Sequence, residues 1–245
     1  GFSTITNPGH TYGAPGVYTV TLIATNSQGS NTKTHVGAIT VLSSPIVNFS
    51  ANVLSGCPPL TVTFTDLSNP IVAGPAIYGW GFGNGNTAAT QHATYTFTLP
   101  GLYPITHTVK NSGGCITSLV KNKYINVYTP PVADFSFTTI CTTPGTTTFT
   151  TAITGIGPYT YNWNYGDGTP NGTTNNPTHT YATSGTYNVT LIVTDANGCK
   201  DTVVKQLNAG GFLANFNVSP IGCKDAPIFF QNTSTGASSY VWDFG

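Results

Sequence analysis

NPTHTYATSGTYNVTLIVTDANGC fills residues 176–199, and two near-copies precede it. NPGHTYGAPGVYTVTLIATNSQGS begins at Asn7, and QHATYTFTLPGLYPITHTVKNSGGC begins at Gln91. Within the phrase the period is two. Tyr187, Val189, Leu191 and Val193 alternate with Thr186, Asn188, Thr190 and Ile192. Tyr18, Val20, Leu22 and Ala24 match them, as do Tyr103, Ile105, His107 and Val109. Such alternation describes a strand with one face buried and one in water.

Other marks repeat with the phrase. Trp80, Trp163 and Trp242 are 83 and 79 residues apart. Phe49, Phe135 and Phe216 are 86 and 81 apart, and Cys57, Cys141 and Cys223 are 84 and 82 apart. Tyr12, Tyr95 and Tyr181 are 83 and 86 apart, and Cys115 precedes Cys199 by 84. A period near 82 means tandem domains. Residues 1–42 read as the second part of one repeat, 45–128 and 131–209 as complete repeats, and 213–245 as the first part of a fourth. The joints VLSSP, YTPP and NAGGF are short, and two carry Pro, which stiffens a linker.

Further alternating runs surround Val47, Phe49 and Ala51, Leu60, Val62 and Phe64, and Ala133, Phe135 and Phe137. Gly, Pro and Asn separate them, and no stretch has helical periodicity. Short strands around a central Trp point to an antiparallel seven-strand β-sandwich in each repeat. The expected core is Trp80, Trp163, Trp242, Phe49, Phe135, Phe216, Tyr187, Val189 and Leu191.

Only 6% of residues are charged, seven basic against seven acidic. Electrostatic binding of nucleic acid or anionic membrane is disfavoured. No apolar run reaches the roughly 18 residues of a membrane helix. The chain has no Met, so residue 1 is not expected to be a translation start. The window ends WDFG and begins GFSTITNPGHTY. One intervening Asp would restore a full repeat, as in a segment of a longer periodic filament.

WNYGDG at 163–168, NPTHTY at 176–181 and GTYNVTLIVTDANG at 185–198 together resemble the PKD domain. WGFGNG at 80–85 and WDFG at 242–245 repeat the first motif. The resemblance implies immunoglobulin-like sandwiches arranged head-to-tail as a rod. The added cysteines resemble PKD-type repeats of large Bacteroidota surface proteins. That implies a non-enzymatic, extracellular adhesin or filament of the gliding-motility kind, exported by the type IX route. Its partners would be neighbouring repeats, other filament copies or surface glycans. The rival readings are accessory modules of a secreted hydrolase that hold polysaccharide or protein, and a surface-layer protein.

The cysteines suggest disulfides. In a seven-strand sandwich the turns holding Cys57 and Cys115 lie at opposite ends, about 20 Å apart, while a bridge needs Cα atoms within about 7 Å. An inter-repeat Cys57–Cys199 bridge is therefore expected over the within-repeat pairs Cys57–Cys115 and Cys141–Cys199. Ser30 stands where the later repeats have Cys115 and Cys199.

No nucleophile, zinc or paired-carboxylate motif is present, and no cofactor is expected. Asp167 is the one candidate for Ca²⁺, with turn capping as the competing role. His10, His92 and His179 read as one recurring structural position; His35 and His107 stand alone, and His107 takes a core position. Tyr159, Tyr161 and Tyr165 are the candidates for exposed aromatics able to stack on sugar. Asn171, Asn188 and Asn232 head N-x-S/T triplets. Asp201-Thr202-Val203 resembles a Bacteroidota O-glycosylation site, with Thr202 as acceptor.

Overall fold

A computed structural model of the chain describes residues 1–71, 73–139, 145–209, 214–218, 221–222, 224–234 and 239–245. Cys141 and Cys223 fall outside them. The described residues contain strands and no helix, and the chain divides into two compact units, Gly1–Val127 and Tyr128–Gly245.

The first unit opens with a hairpin of β1 (Gly16–Asn26) and β2 (Gly29–Val41). A sandwich follows. Its elements are β3 (Phe49–Ala51), β4 (Ser55–Gly56), β5 (Leu60–Asp66), β6 (Ile77–Gly81), β7 (Thr87–Ala88), β8 (Ala93–Phe97), β9 (Gly101–Lys110) and β10 (Ile116–Val127). One sheet has the order β3-β5-β8 and the other β4-β10-β9-β6-β7.

The second unit holds the same plan. β11 (Val132–Thr139), β12 (Gly145–Thr154) and β14 (Thr178–Tyr181) form one sheet. β13 (Thr160–Asn164), β15 (Gly185–Thr194) and β16 (Lys200–Ala209) form the other. β17 (Phe216–Val218) and β18 (Phe230–Asn232) then make a two-stranded pair. Among its described residues the third repeat has six strands rather than seven. Between β13 and β14 the chain returns as turns, touching the sheet through a single bridge from Gly172 to Trp163. That return keeps β12 and β14 antiparallel, so Thr139 and Gly145 lie at the opposite end from the β15–β16 turn.

Burial follows the alternation read from the sequence. Val189, Leu191 and Val193 of β15 are fully buried, while Tyr187 is half-buried against the core. They meet Phe135, Phe149 and Trp163. The first unit repeats this with Phe49, Val62, Phe64, Trp80 and Ile105. Each indole N–H donates to a carbonyl of the return segment, Trp80 to Thr90 at 2.9 Å and Trp163 to Thr174 at 3.0 Å. A buried Trp thus has no orphan donor.

Three tyrosines secure the start of the hairpins. Tyr18, Tyr103 and Tyr187 donate to the carbonyls of Ala14, Leu99 and Thr183, four residues upstream, at 2.7, 2.9 and 2.9 Å. On the wet faces hydroxyls pair across strands, as in Thr61–Thr96 at 2.8 Å and Thr108–Ser118 at 2.8 Å. Cross-strand Thr pairs support a sheet without charge, which accounts for so neutral a surface.

Two core expectations fail. Phe216 is 50% exposed and Trp242 38% exposed. Their rings pack on one another and on Phe230, but among the described residues of 214–245 no second sheet covers them. The β1–β2 hairpin likewise leaves Leu22 67% exposed, while its counterpart Leu191 is at 0%. Leu191→Ala is therefore expected to cost the second unit about 2–5 kcal/mol. Leu22→Ala in dilute protein should stay within about 0.5 kcal/mol. Urea denaturation read by fluorescence checks both; equal losses would contradict this account of the core.

Candidate functional site

The turn of WGFGNG at 80–85 and WNYGDG at 163–168 follows from geometry. Gly83 and Gly166 sit at φ 76° and 81°. A Cβ on Gly83 would stand 2.6 Å from Pro104 O, and one on Gly166 would stand 2.7 Å from Asn188 O. Only glycine permits both the conformation and the approach to the neighbouring strand.

The next residue is Asp167 in the third repeat. Its Oδ1 accepts from Thr169 N at 3.1 Å and Thr169 Oγ1 at 2.6 Å. Its Oδ2 lies 2.7 Å from His179 Nε2. Burial pushes the carboxyl up, yet the hydrogen bonds from Thr169 and His179 outweigh it and hold Asp167 below the usual carboxylate range. His179 stacks on Tyr165 at 3.9 Å and meets Tyr181 edge-on at 4.7 Å. Burial, then the charge of Asp167, pushes both phenols up. Tyr181 remains a donor, to Tyr165 O at 3.1 Å. Both oxygens of Asp167 are thus engaged in closing the turn. Among the described residues no three His, Cys, Asp or Glu side chains gather as a metal site.

In the second repeat Asn84 replaces Asp167, and its amide donates to Tyr95 Oη at 2.9 Å. Tyr95 stacks on Phe82 at 4.3 Å, as His179 stacks on Tyr165. The Asp167–His179 pair of one repeat is an Asn84–Tyr95 pair in the other. This corrects the expected histidine register. His179 corresponds to Tyr95, and Tyr181 to Phe97, which packs on Tyr103 as Tyr181 packs on Tyr187. His92 sits elsewhere; its Nδ1 accepts from Asp66 N at 3.1 Å, as Asn176 Oδ1 accepts from Thr151 N at 2.9 Å. His10 keeps the third-repeat arrangement, edge-on to Tyr12 at 4.7 Å.

His107 occupies the core, as read, but with a partner the sequence did not reveal. Its Nε2 lies 3.0 Å from Asp66 Oδ1, and its Nδ1 lies 3.2 Å from Gly79 O. Its ring stacks on Trp80 at 3.7 Å. A carbonyl only accepts, so Nδ1 donates to Gly79 O, and Nε2 is left facing Asp66. Asp66 also accepts from Ser68 N and Gln91 Nε2. Burial raises its carboxyl, and the bonds from Ser68, His107 and Gln91 pull it lower still.

The aromatic-platform expectation is corrected. Tyr165 is buried, while Tyr159 and Tyr161 are half-buried against the core. Among the described residues of 45–128 and 131–209, no Phe, Tyr or Trp is exposed. Thr202 is exposed on β16, and the backbone N–H of Thr202 donates to Asp201. Asn188 is exposed on β15; Asn171 and Asn232 have side chains bonded to Asn162 and Ser234 N.

Cys57 and Cys199 are each disulfide-bonded, whereas Cys115 is a free thiol. The within-repeat bridge Cys57–Cys115 is therefore absent. Cys115 instead approaches Leu42 O at 3.8 Å, and Asn111 of the same turn donates to Ser43 O at 3.0 Å. The β9–β10 turn of the second repeat thus receives the linker from β2.

The two complete repeats define tandem immunoglobulin-like β-sandwich modules. A family model for the PKD domain matches residues 2–41, 43–127 and 128–208, and the chain belongs to that family. PKD domains are non-catalytic modules that occur in extracellular proteins. Human polycystin-1 is 33% identical over 107 residues, which is 42% of this chain and 2% of that protein's length. The chain thus spans a small part of that relative. The PKD1 domain of Vibrio anguillarum Epp is 22% identical, with a TM-score of 0.31, over 35% of this chain and 98% of that one. A carbohydrate-binding module of the β-sandwich superfamily, described as promiscuous in specificity, is 14% identical with a TM-score of 0.33, over 69% of this chain and 86% of that one.

Two predictions test the polar pairs. His107→Leu strands the Asp66 carboxylate and should cost about 3–5 kcal/mol. Asp66→Thr with His107→Leu, which copies Thr151 and Leu191 of the third repeat, should recover most of it; a double variant no better than the single refutes the pairing. Asp167 has a folded pKa below its unfolded value of about 3.9, so its stabilisation is complete above that value. It disappears as pH falls through the lower, folded value. Acid unfolding of Asp167→Asn should accordingly be less steep between about pH 5 and pH 2.

Proposed function

We propose that this chain is a structural and adhesive shaft segment of an extracellular surface filament or adhesin. One observation carries the reading. In both complete repeats the aromatic and ionisable groups with unusual environments face inward and hold turns and cores together. The outer faces present threonine, serine and asparagine. A sugar-binding platform needs exposed aromatic rings, and the described residues of these repeats offer none. The surface suits lateral or end-to-end contact between neutral sandwiches, since little charge opposes association.

The cysteines fit the same role. Cys57 follows β4 at one end of its sandwich, and Cys199 precedes β16 at the opposite end of the next. In a head-to-tail arrangement these ends meet. A Cys57–Cys199 bridge would staple consecutive repeats and limit bending at the joint. On the chain-entropy account it contributes up to about 4–5 kcal/mol. The partners are neighbouring repeats, other filament copies and surface glycans, with Thr202 as an accessible glycosylation acceptor. A gliding-motility filament exported by the type IX route is the setting that the cysteine-bearing repeats suggest.

Peptide mapping without reductant should recover a fragment holding Cys57 joined to one holding Cys199. Small-angle scattering should give an elongated particle that becomes more flexible in Cys57→Ser/Cys199→Ser. A link from Cys57 to Cys141 or Cys223 would refute the staple, and a compact particle would refute the shaft.

A further inference from the structure

Three Asn–Gly pairs lie in the complete repeats: Asn84–Gly85, Asn171–Gly172 and Asn197–Gly198. Such a pair is prone to lose its side-chain amide, because glycine, without a Cβ, lets its nitrogen reach the asparagine Cγ. The fold treats the three differently. Gly172 N donates to Trp163 O at 3.0 Å, and Asn171 Nδ2 donates to Asn162 Oδ1 at 2.7 Å. Gly198 N donates to Asp195 O at 3.1 Å. Both nitrogens are tied into the backbone network. Gly85 N, by contrast, donates to no group among the described residues. Open space surrounds the Gly85 Cα, and Asn84 and Gly85 are both exposed.

The groups around Asn84 are placed for the reaction. Asn84 Oδ1 accepts from Asn86 N and from Asn86 Nδ2, each at 3.3 Å. The ring closed by the first of these bonds contains both Asn84 Cγ and Gly85 N, so it holds the reacting pair together. The same two donors stabilise negative charge that develops on Oδ1. Asn84 Nδ2, the leaving nitrogen, donates to Tyr95 Oη at 2.9 Å. The phenol keeps an O–H of its own to give.

We propose that Asn84–Gly85 is a self-modifying site, converted with age to aspartate or isoaspartate. Gly85 N gives up its proton and bonds to Asn84 Cγ, and the Cγ–Nδ2 bond breaks. Tyr95 protonates Nδ2, which leaves as ammonia, and the phenolate regains through solvent the proton that Gly85 released. Water then opens the resulting succinimide at either carbonyl. It is the only co-reactant. The third repeat shows that the turn accommodates the aspartate product. Asp167 holds the equivalent place, and its Oδ1 accepts from Thr169 N as Asn84 Oδ1 accepts from Asn86 N. The conversion turns an amide that donates to Tyr95 into a carboxylate that accepts from it. It also gives a negative charge to a chain whose formal charge is +0. This goes beyond the shaft reading and does not depend on it.

Peptide mapping by mass spectrometry tests it on the 245-residue chain, aged folded in warm, mildly alkaline buffer. The expected result is the mass gain of exchanging NH2 for OH at Asn84, at least about tenfold faster than at Asn171 or Asn197. Isoelectric focusing should show a matching acidic species. In urea all three are bare Asn–Gly pairs, and their rates should converge. Tyr95→Phe keeps the ring that stacks on Phe82. It should slow conversion at Asn84 about tenfold or more in the folded chain and leave the rate in urea unchanged. Conversion at Asn84 that is no faster than at the other two sites in the folded wild-type chain overturns the proposal. So does a wild-type rate in folded Tyr95→Phe. Neither outcome bears on the shaft reading.

Discussion

Each complete repeat depends on one indole. Trp80 stands on β6 and Trp163 on β13, with the phenylalanines of the opposite sheet packed against the ring. Its N–H must also find an acceptor in a dry core. The return segment supplies that carbonyl, and so the ring fixes the path of a loop that forms almost no strand. Strands, turn glycines and the tyrosine bonds then arrange themselves around a ring of set size. The end segments lack this closure. They hold the same residue types with the same spacing, and their apolar faces are open.

Around this fixed centre the repeats differ in how they satisfy polar groups. The turn after the Trp strand is held by Asp167–His179 in one repeat and by Asn84–Tyr95 in the other. The core beneath it is apolar at Leu191 and polar at His107–Asp66. A buried pair is costly unless complete. The partners therefore change together or not at all, and the chain displays both states of each exchange. Ionisable residues with perturbed environments are candidates for chemistry. Here each is saturated by neighbours within its own sandwich, which is a structural task.

The fold was largely legible. Alternation placed β1, β5, β9 and β15, the Trp spacing placed the cores, and the glycines of the signature placed the turns. The register of β8 against β14 was not. Tyr95 shares a letter with Tyr181, but Phe97 shares its position, because the chain in the second repeat reaches the strand two residues out of step with the sequence match. Letters repeat along the chain, whereas side-chain direction alternates with every residue. His92 was misassigned for the same reason. Nothing local to His107 announced Asp66, which lies 41 residues away.

By itself the sequence determined the period, the all-β class, the neutral surface and the residues able to fill a core, because these are properties of spacing and composition within single strands. The tertiary structure decided which of those residues are buried. It also decided which polar groups meet and which cysteines are bonded. Those outcomes depend on pairing between sheets, where residues far apart in the chain compete for one place. Leu22 and Leu191 read alike, and only the presence of a facing sheet separates an exposed side chain from a core one.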